Sequence, residues 1–384
     1  MSKVYVLYTG GTIGSAGQPL APMSTAAFAK LVGQMPGLGD GRVAGYDISY
    51  VIEGTPQPLD SSNMTPSDWI AIAWQIASVY SRFDGFVILH GTDTMAFTSS
   101  ALSFLFEGLS KTIVVTGSQL PLSYTLNDAL SNLTGAIVMA ATSEIPEVTL
   151  YFDYQLFRGN RAAKVNASQV AAFASPNFPA LATVGTESTI QTNLILPKPP
   201  KSISLSMQAN LKALQKQLAG LAESISGFSV IALMLYPGIS ANTVSAMLKG
   251  TQPPVSGVVL EAFGEGNGPS NPAFLAVLKA ASDAGLVLVD NTQVLMGTVN
   301  IDAYATGSGL AQAGAISAYD MTPESSLCKL VYLFAQGIAP AQVKKQMQED
   351  LRGEVTVPPL APTRSLFSGG PFLHAASHAQ SRRR

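Results

Sequence analysis

The chain contains 384 residues, of which 47% are apolar and only 12% are charged. Because 22 basic side chains face 24 acidic ones, the net charge is −2, and we expect no basic surface for nucleic acid or an anionic membrane. No apolar run approaches the roughly 18 residues of a membrane helix. The single cysteine, Cys328, excludes an internal disulfide framework and a multi-cysteine metal cluster. We expect a soluble, cytoplasmic protein that acts on a small molecule.

Short apolar segments recur along the first half, and each leads into a loop rich in Gly, Thr and Ser. These segments are residues 4–8, 85–89 and 112–115, followed by Thr9 to Thr12, His90 to Thr94 and Thr116 to Gln119. Residues 67–78 and 98–106 carry apolar side chains at helical spacing. Continuously apolar strands that alternate with helices predict a parallel α/β sheet covered on both faces.

The pattern changes after Phe173, where prolines predict an extended linker. A heptad stripe then predicts a helix against a domain junction; it comprises Met207, Leu211, Leu214, Leu218 and Leu221. Strand signals return near residues 230–235, 257–260 and 285–289 and predict a second, smaller α/β domain. The predicted divisions are an N-terminal α/β domain (1–195), a linker with an inserted helix (196–228), a C-terminal α/β domain (229–364) and a disordered tail (365–384).

The loops after the predicted strands should meet at the carboxyl edge of the sheet, where open α/β folds bind ligands. They match neither a phosphate loop nor a dinucleotide fingerprint, and the chain contains no Gly-x-Ser-x-Gly elbow. A threonine hydroxyl needs a base to attack, and Asp93 and Lys164 are candidate helpers. From these residues alone, a Thr/Asp/Lys hydrolase is one hypothesis and ordinary loop roles are the other. We interpret His90 as structural.

Two signatures carry a family resemblance: Thr9-Gly10-Gly11-Thr12-Ile13-Gly14 and His90-Gly91-Thr92-Asp93-Thr94-Met95. Further matching segments are Asp60 to Thr65, Arg158 to Lys164, Ala172 to Asn177, Tyr236 to Ser240, Gly264 to Asn267 and Tyr304 to Gly307. In their order and spacing, these motifs resemble the bacterial-type L-asparaginases, most closely the cytosolic (type I) branch. The resemblance covers about residues 3–354.

The resemblance implies an amidohydrolase that converts L-asparagine to L-aspartate and ammonia through a covalent intermediate. Thr12 would be the nucleophile, and Thr92, Asp93 and Lys164 would assist proton movement. Loop backbone amides would stabilise the oxyanion. No metal or organic cofactor is expected.

The resemblance also assigns substrate contacts. Ser61 and Ser62 match positions that hold the α-carboxylate of the amino acid, and Asp93 would pair with its α-ammonium group. Asn267 matches a residue that reaches the active site of a neighbouring subunit, which implies a homodimer or homotetramer.

Two positions depart from the family pattern. Leu20 stands at or near the place of a lid tyrosine and has no hydroxyl group. Tyr8 is the nearest tyrosine in sequence, but it belongs to a strand. The lid hydroxyl would therefore have to be replaced by Tyr304 or water. One alternative is a catalytically weak amino-acid-binding protein, because of Leu20. The other is a mixed glutaminase-asparaginase, because one methylene group separates the two substrates and changes binding by only about 1–3 kcal/mol. Glu261 occupies the place of an arginine at the family's allosteric site, with Ala162 or Ala163 in place of a threonine, so we predict no cooperativity with asparagine.

Overall fold

The chain folds into two α/β units whose sheets face one another across a layer of helices. The structure, a computed structural model, describes residues 1–301 and 305–357. The predicted disordered tail, residues 365–384, lies outside the described residues, as does Tyr304.

Strands and helices follow one another along the described chain as predicted for α/β units. In chain order, the strands are β1 Ser2–Gly10, β2 Ser15–Ala16, β3 Ala21–Pro22, β4 Ile48–Leu59, β5 Gly85–Leu89, β6 Ile113–Thr116, β7 Val148–Phe152, β8 Gln155–Arg158, β9 Ala163–Lys164, β10 Phe173–Ala174, β11 Ala182–Thr183, β12 Thr189–Ile190, β13 Ser229–Met234, β14 Val255–Ala262, β15 Val287–Thr292 and β16 Ala315–Ser317. The helices are α1 Thr25–Val32, α2 Pro66–Val79, α3 Met95–Leu105, α4 Ala129–Thr142, α5 Gln208–Ser224, α6 Ala241–Lys249, α7 Pro272–Asp283, α8 Ala305–Gln312, α9 Pro323–Ala335 and α10 Pro340–Met347.

The larger sheet has eight strands in the order β12-β11-β8-β7-β6-β5-β1-β4. From β4 to β7 all neighbours are parallel, as predicted. The sheet then continues through antiparallel β8, β11 and β12, the last two lying where the sequence predicted an extended linker. The reversal at β8 follows a tight turn in which Asp153 and Tyr154 have φ values of 45° and 61°. Paired positive φ angles are typical of two-residue hairpin turns.

Each face of the larger sheet is covered by helices, which explains why its central strands β5, β6 and β7 are buried throughout. Val4 and Val6 pack with residues of α1 and α4, whereas Tyr5 and Leu7 point to the opposite face. On that opposite face, side chains of α2, α3, α5 and α9 form one core, which also includes Val259 of the smaller sheet. The two units therefore share one hydrophobic core.

The smaller sheet contains β13-β14-β15-β16, all parallel. Its outer face packs against α6, α7 and α8 through a separate apolar cluster. The leucine stripe of the linker forms α5, and its buried side chains are Leu211, Leu214, Leu218 and Leu221. Met207, by contrast, precedes the helix and is exposed. Within the described chain, no helix has both the length and the apolar character to cross a membrane.

Candidate active site

Three loops meet at the carboxyl edge of the larger sheet because glycines allow their backbones to touch. Gly11, after β1, has a φ of 82°, which favours glycine. A Cβ atom on Gly11 would lie 2.4 Å from the backbone nitrogen of Gly91, after β5. A Cβ atom on Gly91 would in turn lie 2.5 Å from Oγ of Ser61, after β4. No larger residue fits at either contact without moving the loops apart.

These loops surround a cavity of about 330 Å³, within the usual size range of small-molecule sites. Its lining combines two carboxylates, one ammonium group and several hydroxyls with a few apolar side chains. The lining residues are Gly11, Thr12, Ser15, Leu20, Pro22, Asp60, Ser61, Gly91, Thr92, Asp93, Gln119, Leu120, Lys164, Ala167, Ser168 and Val170. Both signs of charge are present, so the cavity can contact both ends of a zwitterionic amino acid.

Lys164 joins the two polar side chains of the second signature. Its Nζ donates a hydrogen bond of 2.8 Å to Oγ1 of Thr92 and lies 2.7 Å from Oδ1 of Asp93. Thr92 is buried, whereas 63% of the Asp93 side chain is exposed and its carboxylate faces solvent and the cavity. The structure thus brings together Thr92, Asp93 and Lys164, which the sequence predicted to act as one group.

Thr12 begins a short 3-10 turn, Thr12–Gly14, directly after β1. Gly11 N donates to the carbonyl of Leu59, and Gly14 N donates to that of Gly11, so the turn is tied to β4 and closed on itself. Among the described residues, the hydroxyl of Thr12 makes no hydrogen bond. It lines the cavity and is available to a ligand.

The two predicted serines have different environments. Ser61 is buried, lines the cavity, and its carbonyl accepts a 2.8 Å hydrogen bond from Oγ1 of Thr94. Ser62 is exposed, and both its backbone nitrogen and its hydroxyl donate to Oδ1 of Asp60 at 3.0 Å. Ser61 therefore belongs to the cavity wall, whereas Ser62 fixes Asp60, which also lines the cavity.

Leu20 lies in the turn between β2 and β3, and its partly exposed side chain lines the cavity. The residue at the expected lid position therefore contacts the site without providing a hydroxyl. Tyr8 is fully buried in β1 and stacks on Phe28 with ring centroids 4.4 Å apart. Its hydroxyl donates to the carbonyl of Gly14, so Tyr8 supports the Thr12 turn from below.

His90 and Asn267 lie outside the lining of this cavity. His90 is fully buried, with Nδ1 2.7 Å from the carbonyl of Gly91 and Nε2 2.8 Å from Oγ1 of Thr98. Burial lowers its pKa to about 4, which keeps the ring neutral at pH 7. Asn267 is part of the turn after β14 in the smaller unit, where its backbone pairs with Phe263.

Sequence reasoning did not select Gln119 as a site residue. Gln119 follows β6, lines the cavity, and its Oε1 accepts a 3.1 Å hydrogen bond from the hydroxyl of Thr92. Because Gln119 follows a predicted strand, it was expected to lie at the carboxyl edge of the sheet. The partners of its amide group, however, lie in the loop 165–172, which follows Lys164 along the chain and could not be positioned from sequence.

We find no cluster of three or more His, Cys, Asp or Glu side chains suited to a metal ion in residues 1–301 and 305–357. In the cavity, the carboxylates of Asp60 and Asp93 are accompanied by Lys164, and Asp93 is paired with it. An ammonium group in this position competes with a cation for the same carboxylate oxygen.

Comparison with known proteins assigns the family. Residues 3–196 match the model described as Asparaginase, N-terminal, and residues 229–347 match the Glutaminase/Asparaginase C-terminal domain. The chain is 42% identical to L-asparaginase 1 of Escherichia coli K12, over 92% of this chain and 98% of that protein.

A 60 kDa lysophospholipase of Mus musculus is 41% identical over 93% of this chain, which spans only 63% of that relative's length. Among solved structures, L-asparaginase I from Vibrio cholerae superposes with a TM-score of 0.77 at 41% identity, covering 92% of this chain and 99% of that one. The two family models match both halves of the chain, and a solved L-asparaginase has the same fold. The chain therefore belongs to the asparaginase family.

Proposed function

We propose that the protein hydrolyses L-asparagine to L-aspartate and ammonia in the cavity at the carboxyl edge of the larger sheet. The observation that carries the proposal is the threonine hydroxyl of Thr12 beside the linked group of Lys164, Thr92 and Asp93 in one cavity. The relatives named L-asparaginase support the same reaction.

In this proposal, Thr12 Oγ1 attacks the side-chain amide carbon, and the amide nitrogen leaves as ammonia after it gains a proton. Water then attacks the resulting aspartyl ester, which releases L-aspartate and restores the Thr12 hydroxyl. Lys164 exchanges protons in both steps, and Thr92 assists by accepting a hydrogen bond from Lys164 at the cavity wall. Backbone N–H groups of the loops that line the cavity would stabilise the oxyanion.

The charges of the cavity support binding of a free amino acid. Asp93 has an exposed carboxylate that can pair with the α-ammonium group, and Ser61 offers a buried hydroxyl at the wall where the α-carboxylate would lie. Ser62 would contribute through its effect on Asp60, to which its hydroxyl is bonded. Leu20 would cover the substrate with an apolar side chain in place of a hydroxyl.

The assembly and the location follow from the family resemblance. We infer a homodimer or homotetramer in which Asn267 of one subunit approaches the cavity of the next, since Asn267 does not line the cavity of its own subunit. We infer a cytoplasmic location from the resemblance to the type I branch. Gel filtration with light scattering tests the first inference.

Ammonia release from the purified protein tests the proposed reaction. L-asparagine, L-glutamine and D-asparagine are supplied in parallel to the wild type and to Thr12→Ala. We expect release from L-asparagine that is lost in Thr12→Ala, whose melting temperature stays close to that of the wild type. Faster release from L-glutamine would favour a mixed glutaminase-asparaginase, because one methylene group changes binding by only about 1–3 kcal/mol. No release, with asparagine still raising the melting temperature, would favour an amino-acid-binding protein.

A further inference from the structure

The loop that carries Gln119 is held rigidly by α4. Asp128, the N-cap residue of α4, accepts hydrogen bonds of 2.9 Å from the backbone nitrogens of both Gln119 and Leu120. Asn132, one turn later and buried, donates from Nδ2 to the carbonyl of Gly117 at 3.0 Å. With its backbone fixed on two sides, the side chain of Gln119 is directed into the cavity.

The orientation of the Gln119 amide follows from its partners. Its Nε2 lies 3.1 Å from the carbonyl oxygen of Ala167 and 3.2 Å from that of Gln169. Carbonyl oxygens only accept hydrogen bonds, so the NH₂ group must face this loop. The amide oxygen therefore faces Thr92, and that oxygen can only accept.

This orientation determines where the Thr92 hydroxyl directs its hydrogen. The hydroxyl has one hydrogen and two lone pairs, and one lone pair accepts from Nζ of Lys164 at 2.8 Å. The hydrogen is donated to Oε1 of Gln119 at 3.1 Å. The second lone pair of Thr92 is thereby left for a donor inside the cavity.

We propose that Gln119 is a positioning residue, which holds the Thr92 hydroxyl as a hydrogen-bond acceptor toward the bound substrate or water. The inference rests on the proposed function, because it concerns the proton path of that reaction. Gln119 also ties the exposed loop 165–172 to the cavity wall, since its amide contacts two carbonyls of that loop. The two roles use opposite ends of one amide group and can be separated by substitution.

The test compares Gln119→Glu with Gln119→Met. Both variants lose the NH₂ group that binds the loop, but only Glu keeps an acceptor for the Thr92 hydroxyl. We expect Gln119→Met to lower kcat by about tenfold or more, and Gln119→Glu to stay within about threefold of the wild type. KM should rise by a similar factor in both, because loop 165–172 lines the cavity.

A matched control changes the loop without changing the acceptor. Asn166 accepts hydrogen bonds of 2.8 Å from the backbone nitrogens of Ser168 and Gln169, so Asn166→Ala loosens the loop alone. We expect it to alter KM and to leave kcat within about twofold of the wild type. If Gln119→Met destabilises the fold in a thermal melt, Gln119→Leu provides the same comparison.

Equal kcat losses in Gln119→Glu and Gln119→Met would overturn the inference, because loop attachment alone would then explain them. A kcat of Gln119→Met close to that of the wild type would overturn it as well. A wild type that releases no ammonia from L-asparagine is a different outcome, because it contradicts the proposed function on which the comparison depends.

Discussion

Lys164 is the residue on which the polar side of the cavity depends. Its ammonium group donates to Thr92 and pairs with Asp93, which are 72 and 71 positions away in sequence. The pair with Asp93 is partly exposed, and exposed ion pairs contribute only about 0–1 kcal/mol to stability. The position of Lys164 is therefore explained by chemistry in the cavity better than by stability of the fold.

The variant Lys164→Met tests this role. Removing the ammonium group breaks the pair with Thr92, and loss of a general acid or base costs about 10²–10⁴-fold in rate. We expect kcat for L-asparagine to fall by that order while the melting temperature changes by only a few degrees. Lys198→Met is the matched control, because it breaks the exposed pair with Glu144 outside the cavity lining. Equal activity in the two variants would contradict the role of Lys164.

Single residues differ in how far sequence alone could locate them. Thr12, Thr92 and Asp93 directly follow predicted strands, so the common carboxyl edge of a parallel sheet predicts their proximity. Lys164 was a candidate base from the residues alone, but it follows a short antiparallel reversal, so its grouping with Thr92 and Asp93 was implied only by the family resemblance. Gln119 was missed because its partners are backbone carbonyls of a distant loop, which carry no side-chain signal.

At the scale of elements, the turn after β1 is determined by the close approach of its backbone to the β5 loop. Gly11 combines a left-handed φ of 82° with a neighbouring backbone that leaves no room for Cβ. Gly37 has nearly the same φ, 81°, but nothing lies within 4 Å of a Cβ placed there. Gly37 is therefore a control for positive φ alone, whereas Gly11 combines positive φ with a ψ of 177° and with the contact to the β5 loop.

Substitution of each glycine by alanine tests whether the loop contact of Gly11 matters for activity. Gly37→Ala bears the cost of an alanine at positive φ, about 1–2 kcal/mol. Gly11→Ala bears a larger cost, because a φ of 82° with a ψ of 177° is a conformation essentially confined to glycine, and it must also separate the loops. We expect Gly11→Ala to lower kcat/KM by about 10²-fold or more, since small displacements of catalytic groups have effects of this size. Gly37→Ala should keep near-normal kcat/KM with a slightly lower melting temperature. If Gly11→Ala retained normal activity, the loop contact would not position Thr12.

The strand β15 contains a buried acidic side chain directly after the predicted strand segment 285–289. Asp290 is fully buried, and neither carboxylate oxygen has a hydrogen-bond partner among the residues that the structure describes. Burial raises its pKa to about 8, compared with 3.8 for an exposed aspartate. The unfolded chain therefore releases this proton at a lower pH than the folded protein does.

The buried proton of Asp290 makes the stability of the protein depend on pH. Between about pH 4 and pH 8, the folded protein retains the proton of Asp290 and the unfolded chain does not. The contribution of Asp290 to the free energy of unfolding therefore falls as pH rises, by about 1.4 kcal/mol for each pH unit. We expect Asp290→Asn to gain melting temperature relative to the wild type as pH increases from 4 to 8. Asp283→Asn, at an exposed helical position, should show no such trend. A constant difference between wild type and Asp290→Asn would contradict the buried proton.

At the scale of the whole molecule, the segment 350–356 connects the two units. Glu354 forms a fully buried pair of 2.5 Å with Lys329 of α9. From the larger unit, Arg158 and Arg161 both donate to the carbonyl of Gly353, at 3.2 and 2.8 Å. The segment therefore links the helical layer to the strand that precedes Lys164, and the buried charge of Glu354 is compensated by Lys329.

Breaking the buried pair should destabilise the whole molecule. Lys329→Met leaves the carboxylate of Glu354 buried without its cation, and such a loss costs about 3–5 kcal/mol. We expect a clear decrease in the melting temperature. Lys279→Met, which removes an exposed pair with Asp283, should have almost no effect. Similar melting temperatures for both variants would show that the segment is not held by this pair.

The overall architecture was accessible from sequence to a large extent. Continuous apolar strands followed by helices predict the parallel parts of both sheets, and the leucine stripe predicts α5. The antiparallel edge was missed because β11 and β12 have two residues each, too few to show a period. The shared core between the sheets depends on packing of α2, α3, α5 and α9, which no single segment encodes. The proposed domain boundaries remain predictions.

The central claim is that Thr12 forms the covalent intermediate. Its most direct test is peptide mass analysis of the wild type and of Thr12→Ala after mixing with L-asparagine and rapid acid quenching. We expect an added mass equal to asparagine minus ammonia on the wild-type peptide that contains Thr12, and none in Thr12→Ala. The same added mass on the peptide that contains Thr92, or ammonia release that persists in Thr12→Ala, would contradict it.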